Sequence, residues 1–260
     1  MAPVQTSISQ VFPDRILIRG YSLADLIGVY GFGDVVYLLL VGELPTGHEG
    51  GLIDAILVAC VEHNINAPST HTARVVANTG TSLQSAVAAG ISAIGEHHGG
   101  AGEACARILQ EALLTDPTAE LDVLAGRIVA DARHDGRRLP GFGHRFHDPD
   151  PRAERLLGLA DQWSLSGRHV SLARAIEGAL RSATGRSLPI NVDGALAALI
   201  SDLGIDWRHG KSLFLIGRSA GLVAHAYEET GTGKPFQFAE RVDVSYIGPG
   251  ERSVPAHPGD

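Results

Sequence analysis

Pro140-Gly141-Phe142-Gly143-His144-Arg145-Phe146-His147-Asp148-Pro149-Asp150-Pro151-Arg152-Ala153 is the stretch on which the reading of this chain turns. Glycines on both sides of Phe142, then Pro149 and Pro151, forbid a continuous helix across it. The segment is therefore a loop with a programmed backbone, and it carries His144, Arg145, His147 and Arg152. A helix opens at its end, with Asp150 as N-cap, Pro151 in the first turn, and Ala153, Leu156, Leu157 and Ala160 as the apolar stripe. Cations and helix N–H groups that converge in this way suit carboxylates or phosphates, and a histidine beside them can move a proton. The same residues are also readable as a solvated surface loop.

The rest of the chain bounds what such a loop can serve. With 260 residues, 44% of them hydrophobic, the protein can bury a large core as one domain or as a domain with a sizeable insertion. A net charge of −8 argues against nucleic acid or an anionic membrane surface as the main partner, so any anion site must be local. Cys60 and Cys105 sit in apolar helical patterns and read as reduced, buried thiols. With no signal peptide and no segment of transmembrane length in view, the expectation is a soluble cytoplasmic protein. Aromatics at 5% and 32 glycines suit closely packed helices.

Outward from the loop, residues 168 to 184 have helical spacing, and Gly185 and Pro189 close that helix. Asn191-Val192-Asp193-Gly194 then precedes an apolar helix, where Asp193 is a good N-cap. Gly204 to Ser212 ends like a phosphate-binding loop but has the wrong glycine spacing, and Gly210 reads as a helix start. Arg218, flanked by glycine and small residues, can enter a buried carboxylate pocket or snorkel.

Towards the N-terminus, Arg133, Arg137 and Arg138 form a basic cluster, either a solvated helix end or a phosphate contact. Glu96-His97-His98-Gly99-Gly100 pairs two histidines without metal-ligand spacing, and no metal is expected there. Residues 82 to 95, rich in Ala, Gly and Ser, read as a central helix. His63 ends an amphipathic helix over residues 50 to 63, where it can interact with the helix dipole. Residues 35 to 41 are helix or buried strand by pattern, and residues 15 to 19 are extended.

Pro-Gly-Phe-Gly-His-Arg followed by Asp-Pro-Arg-Ala closely resembles the signature loop of the citrate synthase superfamily. Further likeness lies in Arg19-Gly20-Tyr21, Tyr37 to Thr46, His98-Gly99-Gly100-Ala101, Asn191-Val192-Asp193 and Gly217 to His225, so it begins near the N-terminus. His97 stands at a leucine position and Gly102 at an asparagine position. Gly194, with no aromatic after it, resembles the lyase module of ATP-citrate lyase, which tilts the reading towards a short citryl-CoA lyase-like form.

The resemblance implies an all-α, citrate synthase-like two-domain helical fold with a short N-terminal extended segment. The large domain would comprise residues 1–105 and 190–260 with a C-terminal arm, and the small CoA-side domain residues 106–189. It implies catalytic roles for His98, hydrogen-bonding the thioester oxygen, His144, at the keto oxygen and taking the hydroxyl proton in cleavage, and Asp193, the carbon-acid base. His63, Arg145, Arg152, Arg218 and Arg241 would bind the dicarboxylate, with Arg241 reaching a partner subunit although Val242 stands where proline is usual. Arg137 and Arg138 would meet the phosphates of CoA. The expected activity is cleavage of citryl-CoA to acetyl-CoA and oxaloacetate; the alternatives are citrate or 2-methylcitrate synthesis, or a non-catalytic CoA-binding helical protein. No tightly bound cofactor is implied, because coenzyme A thioester is substrate. The expected partners are acyl-CoA, di- or tricarboxylates and a second copy in a homodimer or higher homo-oligomer, with neither nucleic acid nor membrane.

Overall fold

The computed structural model describes residues 4–144 and 147–232, with 247, 248, 250 and 253. Arg145 and Arg241 lie outside the described residues. The chain opens with an antiparallel three-stranded sheet, β1 (Ser9–Val11), β2 (Ile16–Ile18) and β3 (Tyr21–Ser22), in which Ser9 pairs with Ile18 and Ile18 with Tyr21. Arg19 and Gly20 make the tight turn between β2 and β3, both at positive φ. All the longer elements are helical.

In chain order these are α1 (Leu23–Leu26), α2 (Phe32–Val41), α3 (Glu49–Cys60), α4 (Pro68–Asn78), α5 (Leu83–Ser92) and α6 (Ala101–Thr115). There follow α7 (Leu121–His134), α8 (Pro151–Gln162), α9 (Arg168–Thr184), α10 (Val192–Asp202) and α11 (Gly210–Thr232). Residues 35 to 41 are thus helical, resolving the ambiguity of their apolar run, and the helix before His63 stops at Cys60 and leaves His63 in a loop.

The core is built round α10. Val192 and every residue from Gly194 to Ser201 are buried, so this helix is apolar on all sides and needs neighbours on each. It packs against α6, α8 and α9, while α11 lies across α3, α4 and α5. Residues 82 to 95 were expected at the centre, but α5 buries only Ala86 and Gly90. The small residues there serve close approach on one face: a Cβ on Gly90 would lie 2.9 Å from both Ala73 Cβ and the Ser69 carbonyl oxygen. No helix among the described residues is long and apolar enough to cross a membrane.

Candidate active site

Two backbone straps hold the loop 140–150 against the start of α10. Gly143 N–H donates to the Pro189 carbonyl at 2.7 Å, and Asn191 N–H to the Gly141 carbonyl at 3.0 Å. Asn191 Nδ2 adds a bond of 2.6 Å to the Gly143 carbonyl. Gly141 has φ +87°, and a Cβ there would sit 2.7 Å from Cys105 Sγ and 2.8 Å from Gly194 Cα, so only glycine lets the loop lie this close. The geometry brings His144 and Asp193 to one cavity from segments some fifty residues apart in sequence.

Asp150 extends the strap. Its buried carboxylate accepts from Arg152 N–H (3.1 Å), Arg152 Nε (3.0 Å), Arg152 Nη2 (2.9 Å) and Val192 N–H (3.0 Å). The expected N-cap is therefore present at α8, and the same side chain aims Arg152 and ties down α10. Burial works to raise the Asp150 pKa, but the bonds from Arg152 and Val192 outweigh it and hold the carboxyl below its usual range.

Asp193, by contrast, does not cap its helix. Asn191 does, its Oδ1 accepting from Asp193 N–H (3.0 Å) and Gly194 N–H (3.1 Å). The Asp193 carboxylate makes no hydrogen bond among the described residues and lines the cavity. Burial pushes its pKa above the ordinary aspartate value, with the Arg152 charge opposing.

On the opposite side, Ser69 in the first turn of α4 fixes His98. Its N–H lies 3.4 Å and its Oγ 2.8 Å from His98 Nε2. Because a backbone N–H can only donate, Nε2 is the acceptor and the neutral ring carries its proton on Nδ1. Burial, with the Arg218 charge, holds the His98 pKa below normal. His98 is therefore a neutral donor into the cavity.

His144 meets a donor at each nitrogen: His147 N–H lies 3.1 Å from Nδ1 and Arg152 Nη2 lies 3.5 Å from Nε2. Burial lowers the His144 pKa despite the nearby Asp150, and burial with the Arg152 and Arg218 charges lowers that of His63. His63 enters from the turn after α3, where Asn64 takes the left-handed conformation at φ +77° and its side chain bonds Asn66 N–H at 3.3 Å.

Arg218 is 2% exposed on α11, and glycines let it in: a Cβ on Gly217 would lie 2.6 Å from the Leu57 carbonyl oxygen. Its Nε donates to the Cys60 carbonyl at 3.0 Å and its guanidinium lies 4.9 Å over the Phe214 ring, while buried Nη1 has no hydrogen-bond partner among the described residues. A buried cationic nitrogen without an acceptor is matched by a ligand carboxylate.

These side chains line a cavity of about 790 Å³ shared by His63, His98, His144, Arg152, Asp193 and Arg218. The guanidinium groups of Arg152 and Arg218 share the cavity with the carboxyl groups of Asp193 and Glu96 and with His63, His98 and His144, three histidines whose pKa values are held low. A high-pKa carboxyl, that of Asp193, thus stands beside neutral imidazoles and two cations that can meet an anion. That set can enolise a carbon acid next to a carbonyl. Arg137 and Arg138 are exposed and do not line it; Arg137 is paired with Asp135 at 2.6 Å. His97 does line it, and so do His147 and Phe214, neither of which the sequence assigned to the site. Cys60 and Cys105 are buried thiols whose pKa burial pushes up to about 12, which removes them as nucleophiles.

Residues 48–238 match the family described as citrate synthase, C-terminal domain. The structure of citryl-CoA lyase from Hydrogenobacter thermophilus superposes with a TM-score of 0.88 at 40% identity, covering 97% of each chain. ATP citrate lyase from Methanosaeta concilii, solved as a D541A mutant in complex with (3S)-citryl-CoA, gives 0.83 at 25% identity over 96% of this chain and 42% of that one. The Mycobacterium tuberculosis protein "Putative citrate synthase 2" is 35% identical over 208 residues, 77% of this chain and 52% of its own length. The chain thus spans about half the length of the curated relatives it matches, or less.

Proposed function

The chain belongs to the citrate synthase family, and from that premise we propose that it is a citryl-CoA lyase, cleaving citryl-CoA to acetyl-CoA and oxaloacetate. The observation that carries the reading is the cavity in which a raised-pKa Asp193 shares space with Nδ1–H of neutral His98 and with buried Arg218. The end-to-end likeness to a citryl-CoA lyase supports it.

In this mechanism the substrate carboxylates meet Arg152, Arg218 and His63. The bond between the hydroxyl-bearing carbon and the thioester methylene breaks, and its electron pair becomes the enolate of acetyl-CoA. His98 Nδ1–H donates to the thioester oxygen, where that charge develops. Protonated Asp193 then delivers a proton to the methylene carbon, for which a raised pKa is suited. His144 hydrogen-bonds the oxygen that becomes the keto group and takes up the hydroxyl proton as the carbon–carbon bond breaks.

Residues 106–189 would close over the CoA side, with Arg137 and Arg138 near its phosphates, and Arg145 would join the oxo-acid end. A homodimer would bring Arg241 to the partner's site, and the setting would be cytoplasmic. A second reading, synthesis of citrate, draws on the citrate synthase name of a 35%-identical relative. The two part over water: lyase activity on citryl-CoA yields acetyl-CoA and oxaloacetate, whereas hydrolysis yields citrate and free CoA. Quantifying all four products from purified protein decides between them, and no consumption of citryl-CoA would remove both.

A further inference from the structure

Glu62 and His225 face each other outside the lining of the cavity, with His225 Nε2 3.1 Å from Glu62 Oε2. We propose that His225 is a positioning residue for the oxo-acid end of the site: it holds the Glu62 carboxylate away from Arg218, so that the guanidinium stays open to a substrate carboxylate.

The fold puts the three side chains within reach of one another. Gly217, Gly221 and His225 recur at four-residue intervals on α11, so they share one face of that helix, with Arg218 beside them. A Cβ on Gly221 would collide with the Val61 carbonyl oxygen and lie 2.7 Å from Glu62 Oε2. Residues 60 to 63 therefore run directly against α11, fixed by Arg218 Nε on the Cys60 carbonyl at 3.0 Å, and carry His63 into the cavity. Glu62 Oε2 sits beside Gly221, about one helical turn from Arg218 on one side and one from His225 on the other.

The chemistry makes Arg218 the competing partner. Both Glu62 carboxylate oxygens are buried, and neither has an aligned hydrogen-bond donor among the described residues. Buried Arg218 Nη1 is unmatched among them as well. A carboxylate and a guanidinium buried one turn apart can close into a charge-assisted pair, and a bidentate one is stronger than a single contact to imidazole. Burial holds the Arg218 pKa below its usual value, and among the charges that oppose this the strongest is Glu62, so the two side chains already sense each other. His225 keeps them apart, because its Nε2 faces a carboxylate oxygen and is the donor there. Glu228 Oε2 lies 3.7 Å from the other ring nitrogen, Nδ1. In this arrangement Glu62 lends Arg218 a counter-charge without occupying its donors, whereas an internal ion pair would have to be broken by each incoming substrate.

The consequence for turnover rests on the function proposed above; the consequence for carboxylate binding needs only the cavity.

The test compares oxaloacetate affinity, by calorimetry, in the full chain and in variants checked for folding by circular dichroism. His225→Leu releases Glu62, and oxaloacetate affinity should fall on the order of tenfold, as for a lost charged hydrogen bond, while acetyl-CoA affinity persists. Adding Glu62→Gln to His225→Leu should restore most of that affinity, because the competitor is then uncharged. A purely structural pair predicts the opposite, a second substitution that weakens binding further. His225→Gln keeps an N–H donor for Glu62 and should bind oxaloacetate more tightly than His225→Leu. His225→Phe, which fills the space of the imidazole without a donor, replaces the leucine variant if that one does not fold. Unchanged affinity in the variant without the donor, or a double variant that binds no better than the single one, would overturn the restraint. A parent that binds oxaloacetate and leaves citryl-CoA intact removes the proposed activity, and the affinity comparison still decides the restraint. A parent that binds no oxaloacetate at millimolar concentration overturns both.

Discussion

Asp150 and Val192 are joined by a 3.0 Å hydrogen bond from the Val192 backbone N–H to the carboxylate that also holds Arg152. One buried side chain thus links the loop bearing His144, the helix bearing Arg152 and the turn bearing Asp193. Removing it leaves a cation and a helix N–H without their acceptor, a loss of roughly 3 to 5 kcal/mol for a buried pair broken on one side. Asp150→Ala is therefore expected to lower the denaturation midpoint sharply as well as turnover, measured by urea unfolding and citryl-CoA cleavage. Unchanged stability would detach Asp150 from this linking role.

The bond between Ser69 and His98 makes a smaller claim. Ser69→Ala keeps the backbone N–H and loses only the hydroxyl, a net loss of about 1 kcal/mol for one hydrogen bond. The expected result is a fall in kcat on the order of fivefold with KM little changed, because the interaction serves the charge that develops on the thioester oxygen. A change confined to KM would place Ser69 in ground-state binding instead.

Arg218 tests the anion end. Its Nη1 is buried without a partner among the described residues, and a lysine there would supply charge without the planar fork. Losing one charged hydrogen bond costs roughly 1.5 to 3 kcal/mol, so Arg218→Lys should weaken oxaloacetate binding on the order of 10- to 100-fold. Calorimetry with oxaloacetate and, separately, acetyl-CoA checks it, since acetyl-CoA affinity is expected to persist.

Much of the fold was legible because its signals are local. Gly141, Gly143, Pro149 and Pro151 mark the loop wherever the rest of the chain lies, and Asp150 with Pro151 marks a helix start. What failed depended on tertiary burial. Small residues over 82–95 and the apolar run of 192–202 both predict close packing, and only the assembled structure shows that α10 is surrounded while α5 is packed on one face. Asn191 and Asp193 are both good cap residues, and the choice between them rests on where helical dihedrals begin: Asn191 has ψ −178°. The approach of His63 to His144 was legible only through the family resemblance, since the spacing of two loops some eighty residues apart carries no local signal, and nothing in the sequence brought His147 and Phe214 to the cavity.

Asp193 carries the last prediction, and its sign follows from burial. A carboxyl whose folded pKa lies above the unfolded value destabilises the fold when ionised, fully at pH above both values and not at all below the unfolded one. Asp193→Asn removes that penalty while Asn191 keeps the helix cap, so the variant should melt higher than the parent at neutral pH. The advantage should shrink as pH falls towards the unfolded pKa of 3.8. Chemistry should move the other way: exchange of acetyl-CoA methyl protons with solvent, which needs the carboxylate, should be abolished in Asp193→Asn. In the parent, exchange should rise with pH through an aspartate pKa displaced upward. Scanning calorimetry across pH and proton exchange followed by NMR read the two arms separately. A variant that exchanges protons at the parental rate would remove Asp193 as the base, whatever its melting temperature.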